Sequence, residues 1–293
     1  MSEARRIDRI TILGTGLIGA SIGLGLREQN FSGEILGWDK NPSELAIALS
    51  RSAVDHAVED PITAATGSDL ILLAGPVFSI LEWIDQLGPL LGPHQLVTDV
   101  VSVKGAVSEH AGRAFDGDGR ASFLPGHPMA GKEVHGAEHA EAQLFQGEVW
   151  LFTPLASSSA PTELEAEWRD WVTKFGCRTL DLDAKRHDEL CAWVSHLPQF
   201  LSTAMSAMLE DKFAGDEDMR AIGGRALREM TRLGASPFSM WRDVAHTNTE
   251  AIAETLLALE QRLTDLREHL KTPELRDEFD LANRFRANWS RRS

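Results

Sequence analysis

Over the first half of the chain, apolar residues fall into short runs separated by amphipathic stretches. The runs at 9–13, 34–38, 69–74, 95–100, 121–124 and 148–153 have the length and the β-branched content of strands. Helical spacing fills most of the gaps between them, as at 17–28 and 43–50. Strand and helix alternating at this pitch predict a parallel sheet covered on both faces. A polar stretch at 156–162 (ASSSAPT) predicts a loop into a helix over 163–175, and a short strand at 177–182 closes this first domain.

Strand signals stop at Asp183. Helical patterns follow at 187–210, where Pro198 should bend or break the helix, at 218–233 and at 237–270. A last helix is opened by Thr272 as cap and Pro273 as first residue. Over 252–270, Ile252, Leu256, Leu259, Leu263, Leu266 and Leu270 make one apolar stripe, which suits packing on the first domain or a dimer interface. The pattern thus gives an α/β chain of two domains. Residues 1–182 form a doubly wound, mostly parallel sheet, and residues 183–293 form an all-helical domain for substrate binding and dimerisation.

Composition narrows the function classes. The chain has 293 residues with 44 acidic and 29 basic side chains, a net charge of −15, and this acidity disfavours a nucleic-acid partner. Cys177 and Cys191 make neither a disulfide framework nor a zinc cluster and read as small buried residues. The sequence contains no tyrosine, which excludes the dehydrogenases that relay protons through a Tyr-x-x-x-Lys pair. No stretch of about 18 apolar residues predicts a membrane span, and residues 1–8 do not resemble a secretory leader. A cytoplasmic address and no membrane partner are expected.

The strongest motif is Gly14-Thr15-Gly16-Leu17-Ile18-Gly19, between a predicted strand and a predicted helix. Gly14 permits the tight turn, Gly16 admits a pyrophosphate to the backbone, and Gly19 lets the helix lie close to the strand. Asp39 ends the second strand 20 residues after Gly19, where a carboxylate holds a ribose 2′-hydroxyl and repels a 2′-phosphate. A Rossmann-type domain that binds NAD is the reading, with NADP less favoured although Lys40 could tolerate its phosphate. The alternative is a glycine-rich turn with an incidental aspartate. Gly75-Pro76-Val77 ends the next strand, and two further strand ends bring Ser102, Lys104 and His127 toward the same groove.

Five blocks in order resemble the prephenate and arogenate dehydrogenase family: GTGLIG at 14–19, DVVSVKG at 99–105, GHPMAGKE at 126–133, VSHLP at 194–198 and TRLGASPFSMWRDV at 231–244. The resemblance implies oxidative decarboxylation of a cyclohexadienyl substrate with NAD(P) and no metal. It also implies His127 as proton acceptor, with Ser102 orienting it and touching the nicotinamide. Arg232 would clamp the ring carboxylate, and Trp241 would close the pocket; beside the resemblance, Arg228 lies one turn from Arg232 on a shared helix face and is expected as a secondary anion contact. His187, Ser195 and His196 would line the substrate site, with Glu133 near its entrance. Many relatives have a histidine where this chain has Gln199, at the position that recognises the substrate side chain. Lys132 likewise replaces a small hydroxyl residue, and no segment resembles the regulatory ACT domain of some relatives.

Blander readings stand beside these. His196 could be a helix histidine satisfied by a carbonyl, and Arg228 and Arg232 could be an exposed salt-bridged face. His135 and His139, four apart near Glu133, Glu138 and Glu141, read as a solvated helical face, not a metal site. At the level of function, the prephenate reading competes with an arogenate or dual-specificity enzyme, and with a non-catalytic NAD-sensing protein. A β-hydroxyacid or imine reductase of similar build would need a catalytic lysine on the first interdomain helix, where this chain has His187 and His196.

Overall fold

The computed structural model describes residues 6–156 and 161–289. Part of the loop expected at 156–162 therefore lies outside the described residues, as do the first five residues of the chain. The structure divides into two compact units, Met1–Thr249 and Glu250–Ser293.

In the first unit, β1 (Arg9–Leu13) leads through α1 (Leu17–Glu28) to β2 (Glu34–Trp38) and α2 (Pro42–Ser50). Then come β3 (His56–Ala57), α3 (Pro61–Thr66), β4 (Leu70–Leu73), α4 (Val77–Leu87), β5 (Leu96–Asp99), α5 (Gly105–Ala114) and β6 (Ser122–Leu124). These six strands are all parallel, in the order β3-β2-β1-β4-β5-β6. That order reverses direction between β1 and β4, which opens a ligand crevice at their carboxyl ends. All four residues of β4 are buried, as suits a strand with helices on both faces.

The strands expected at 148–153 and 177–182 do not join this sheet. They are β8 (Val149–Phe152) and β9 (Arg178–Asp181), joined by a strand the pattern did not predict, β7 (Gly126–Pro128). The second sheet runs β7-β8-β9, antiparallel then parallel, with α6 (Glu163–Lys174) between its last two strands. Pro125 has no N–H to extend the β6 ladder, and its carbonyl instead accepts from Thr153 N at 3.0 Å. The chain thereby steps from one sheet to the other within a residue, and His127 is registered opposite Leu151. Trp150 and Trp168, both fully buried, anchor this second sheet on the common core.

Helices α7 (Ala184–Cys191) and α8 (Leu197–Phe213) replace the single helix expected at 187–210. Pro198 does not break the rod; the bonds widen into one π turn, Ala192–His196, where Leu197 N reaches back to the Ala192 carbonyl. Proline cannot return a hydrogen bond to the previous turn, and a wider turn absorbs that loss. The helix expected at 218–233 is split into α9 (Glu217–Ile222) and α10 (Arg225–Thr231) by Gly223-Gly224, and then tightens into the 3₁₀ turn Arg232–Ala235. The long helix expected at 237–270 is likewise two, α11 (Phe238–Thr247) and α12 (Thr249–Glu268), interrupted at Asn248 with φ −127° and ψ 35°. The helical face expected around His135 and His139 is a loop with a 3₁₀ turn at Ala137–His139.

The second unit holds most of α12 and α13 (Glu274–Trp289), linked by the ion pair of Arg262 with Glu278 at 2.6 Å. Along the leucine stripe, Leu256, Leu263 and Leu270 are exposed. No helix among the described residues is long and apolar enough to cross a membrane.

Gly19 is the tightest point of the β1–α1 packing: a Cβ there would lie 2.0 Å from the Gly14 carbonyl oxygen. Gly19→Ala should therefore cost at least about 1–3 kcal/mol, the usual range for overpacking. Urea denaturation checks this; an unchanged midpoint would mean that the turn relaxes freely.

Candidate active site

The crevice end of the site is made by the glycine turn. Gly14 has φ +104°, and a Cβ there would sit 2.6 Å from the Ala74 carbonyl oxygen, so β1 and β4 meet at this point only because the side chain is absent. A Cβ on Gly16 would meet nothing within 4 Å, so open space lies against the backbone where a pyrophosphate would sit. Leu17 and Ile18 are half-buried in the first turn of α1. Asp39 accepts from Thr15 N at 2.7 Å and from Asn41 N at 2.8 Å, which fixes its carboxylate beside the glycine turn. Gly75 and Pro76 lead into α4 at the carboxyl end of β4, and Val77 is buried in its first turn.

Behind the crevice lies a buried polar cluster. Lys104 is fully buried, and its ammonium is paired with Asp99. Burial pushes the Asp99 carboxyl up and the Lys104 amine down, each opposed by the other's charge. The expected orientation of Lys104 toward the cofactor is thus not what the fold gives, because its charge is spent inside the protein. Asp99 also accepts from Val101 N at 3.1 Å and Gly126 N at 3.2 Å, which binds the β5 end to the start of β7.

Asp188 is the second buried carboxylate. Its Oδ1 accepts from Lys104 N at 2.7 Å and its Oδ2 from Gly105 N at 2.7 Å, capping α5 from another helix. His187 Nδ1 lies 2.8 Å from Asp188 Oδ1, and His187 Nε2 lies 2.9 Å from His127 Nδ1. The hydrogen-bond partner of His127 is therefore His187, where Ser102 was expected. Ser102 is half-buried, and its main chain lies beside the His196 ring. Burial holds His127 well below the usual histidine range, reinforced by His187, Lys104 and His196. Burial also lowers His187, against the pull of Asp188. His127 is 7 % exposed, and with Nδ1 engaged its Nε2 is the nitrogen left for the cleft.

Cys191 is more than a small buried residue. Its Sγ lies 3.6 Å from His187 Nε2 and 3.9 Å from His127 Nδ1, so three donor atoms gather within 4.8 Å. Sequence spacing showed no such cluster. Burial pushes the Cys191 thiol up to about 12, so it stays protonated beside the two rings.

A second group forms around the turn 232–236. Arg232 is exposed and paired with Glu133, which joins two of the expected site residues to each other. Gln199 is buried: its Nε2 donates to the Leu233 carbonyl at 2.7 Å and to Thr203 Oγ1 at 3.2 Å, and its Oε1 accepts from Ser236 at 3.1 Å. The amide expected to read the substrate is committed to holding the Arg232 turn. Lys132 turns into its own loop, onto Glu141 at 2.7 Å. His196 is fully buried in the π turn, next to Asn248 at 3.4 Å, with Trp241 edge-on at 5.9 Å between ring centroids. Ser195 is half-buried in that π turn. Arg228 is exposed, one turn before Arg232, and donates to the Gly223 carbonyl at 3.2 Å. Sequence reasoning missed Asp99 and Asp188. The His-Asp pair at the start of α7 was the available signal, since a carboxylate beside a histidine sets its tautomer.

Comparison with known proteins bears on this arrangement. A model of the prephenate dehydrogenase nucleotide-binding domain matches residues 22–178, and one of the prephenate dehydrogenase dimerization domain matches residues 183–286. The chain belongs to the prephenate dehydrogenase family. Within that family it is 30% identical over 261 residues to a prephenate dehydrogenase of Lactococcus lactis, covering 89% of this chain and 70% of the relative. It is 28% identical over 249 residues to a cyclohexadienyl dehydrogenase of Zymomonas mobilis, covering 84% and 83%. The crystal structure of Synechocystis arogenate dehydrogenase superposes with a TM-score of 0.76 at 29% identity, covering 96% of this chain and 99% of the other. Family membership makes the chain an oxidoreductase.

The three buried histidines make stability depend on pH. Burial depresses His196 to about 4 from an ordinary 6.5, and His127 and His187 shift the same way. The unfolded chain takes up protons near pH 6.5 and the folded chain does not. The stabilisation is therefore complete above that pH and lost as pH falls toward 4. At 1.36 kcal/mol per unit, His196 alone accounts for up to about 3 kcal/mol. Urea midpoints at pH 7.5 and 5 should fall in the wild type and fall less in His196→Gln. An equal fall in both would remove His196 from the account.

Proposed function

We propose that this chain is an NAD-dependent prephenate dehydrogenase, converting prephenate to 4-hydroxyphenylpyruvate and carbon dioxide in tyrosine formation. The observation that carries the reading is the state of His127: buried, held neutral, with Nδ1 bonded to His187 and Nε2 left for the cleft. That is the form a proton acceptor needs before turnover.

The open backbone at Gly16 and the fixed Asp39 carboxylate fit a dinucleotide, held by Gly14, Gly16, Leu17, Ile18, Gly19 and the 75–77 turn. When bound, NAD supplies the hydride acceptor. His127 Nε2 takes the proton of the ring hydroxyl, and loss of the ring carboxylate as carbon dioxide makes the ring aromatic. Arg232 serves as the clamp for that carboxylate, exchanging its Glu133 partner for the substrate through two charge-assisted hydrogen bonds. His196, Trp241 and Ser195 line the substrate side. The Gln199 amide, engaged with the 232–236 turn, acts on the substrate through Arg232.

Likeness to an arogenate dehydrogenase at 29% identity keeps arogenate as the second substrate to test. The domain boundary is proposed at 182/183, in keeping with the two matched ranges. A homodimer through the helical domain is proposed from the exposed leucines of α12 and the dimerization-domain match. A cytoplasmic address is part of the same proposal.

Steady-state rates with prephenate and arogenate decide the substrate: prephenate should be turned over faster, and a strong preference for arogenate would reverse the assignment. His127→Asn should abolish turnover while NAD still binds. Absence of turnover in the wild type would favour a cofactor-sensing protein instead. Arg232→Ala should raise KM at least about tenfold, since a charge-assisted hydrogen bond contributes about 1.5–3 kcal/mol. An unchanged KM would take Arg232 out of the clamp role.

A further inference from the structure

We propose that Asp188 and His187 are positioning residues that set the tautomer of His127, so that its lone pair is presented at Nε2 to the cleft. A chain of donors and acceptors runs from the amino end of α5 to His127. Asp188 accepts two main-chain N–H groups at the amino end of α5, at 2.7 Å each, where the helix dipole also favours a carboxylate. Its Oδ1 lies 2.8 Å from His187 Nδ1, so that nitrogen must carry the hydrogen. A neutral imidazole protonated at Nδ1 has its lone pair at Nε2. His187 Nε2 is 2.9 Å from His127 Nδ1 and can only accept, so His127 Nδ1 is the donor. The lone pair of His127 is then at Nε2.

The surroundings favour this arrangement. His127 and His187 are both buried and held in the neutral form by burial, and the Cys191 thiol beside them stays protonated. The other charged or titratable groups facing the pair are Lys104 with its partner Asp99, from the β5–α5 segment, and His196, from the π turn. Gly105 makes the approach possible, since a Cβ there would lie 2.9 Å from Asp188 Oδ2. When the substrate O–H bond breaks, the proton binds His127 Nε2, and the new positive charge is backed through His187 by the Asp188 carboxylate. The catalytic part of this inference rests on His127 being the base, but the tautomer itself does not.

The test reads the tautomer directly. In ¹⁵N-histidine NMR spectra of the full-length protein at pH 7.5, assigned with His127→Gln and His187→Gln, both rings should show protonated Nδ1 and unprotonated Nε2. A His127 ring protonated at Nε2 in the wild type would overturn the proposal, whether or not prephenate is a substrate. Asp188→Asn should move His127 toward the Nε2–H form and lower kcat by about 10²–10⁴, with KM within about threefold. Its acidic limb in kcat/KM should move to lower pH, because the carboxylate that favours the imidazolium is gone. Loss of activity with tautomer and limb unchanged would mean that Asp188 only caps α5, and would also overturn it. If Asp188→Asn does not fold, His187→Phe keeps the cap and removes the relay. It should show the same tautomer shift and a fall in kcat of about 10²; unchanged values overturn the proposal.

Discussion

The Asp188 carboxylate joins three parts of the protein that are far apart in sequence. It accepts the first amides of α5, it sits beside His187 on α7, and through that ring it reaches His127 on β7. Removing it would leave two main-chain donors and a ring N–H buried without an acceptor, each costing about 1–3 kcal/mol. Cap, helix contact and ring orientation are one interaction and stand or fall together. The exact length of β7 matters for the same reason: Pro125 ends one ladder, and three residues of the next place His127 against the helix.

Charge is distributed on the same economical plan. With a net charge of −15, the chain binds anions only by local arrangement. Lys104, expected to face the cofactor groove, is neutralised inside by Asp99 and acts as a strut between the β5 end and α5. Of the cations expected to meet an anion, Arg228 and Arg232 remain at the surface, and Arg232 is held by Glu133 until something displaces it. Burial then does to the histidines what it does to the lysine, penalising the charged form, so the rings stay unprotonated and the lone pair of His127 stays open.

Much of this was legible in the sequence. The parallel sheet, the glycine turn and Asp39 were readable because each rests on a local period or a fixed spacing. The two- and three-residue strands β3 and β7 were not, since so few residues carry no period. The helix break at Gly223-Gly224 was written in the chain as two adjacent poor helix formers, but the apolar spacing on either side masked it. Long-range partners were the hardest part. Nothing near Gln199 announces that its amide will be spent on the carbonyl of Leu233, and nothing near Lys104 shows that its mate lies five residues back. The family blocks marked which residues matter, and the fold determined what each of them touches.

The π turn lets the helix carry one extra residue without turning His196 away from His187. His187 and His196 are nine residues apart, and at 3.6 residues per turn an unbroken α-helix would put them on opposite sides. Both are fully buried. Each residue in the wider turn Ala192–His196 advances the helix by a smaller angle, which swings His196 round toward the side that His187 occupies. Trp193 and Val194, the residues that ride over the outside of this turn, are exposed and free to vary in kind. Their number has two solutions: a one-residue deletion there would restore the α-helix and leave the two histidines eight apart, about 80° round the axis and still on neighbouring sides. A descendant that lost the π turn through a single deletion should therefore keep both histidines inside.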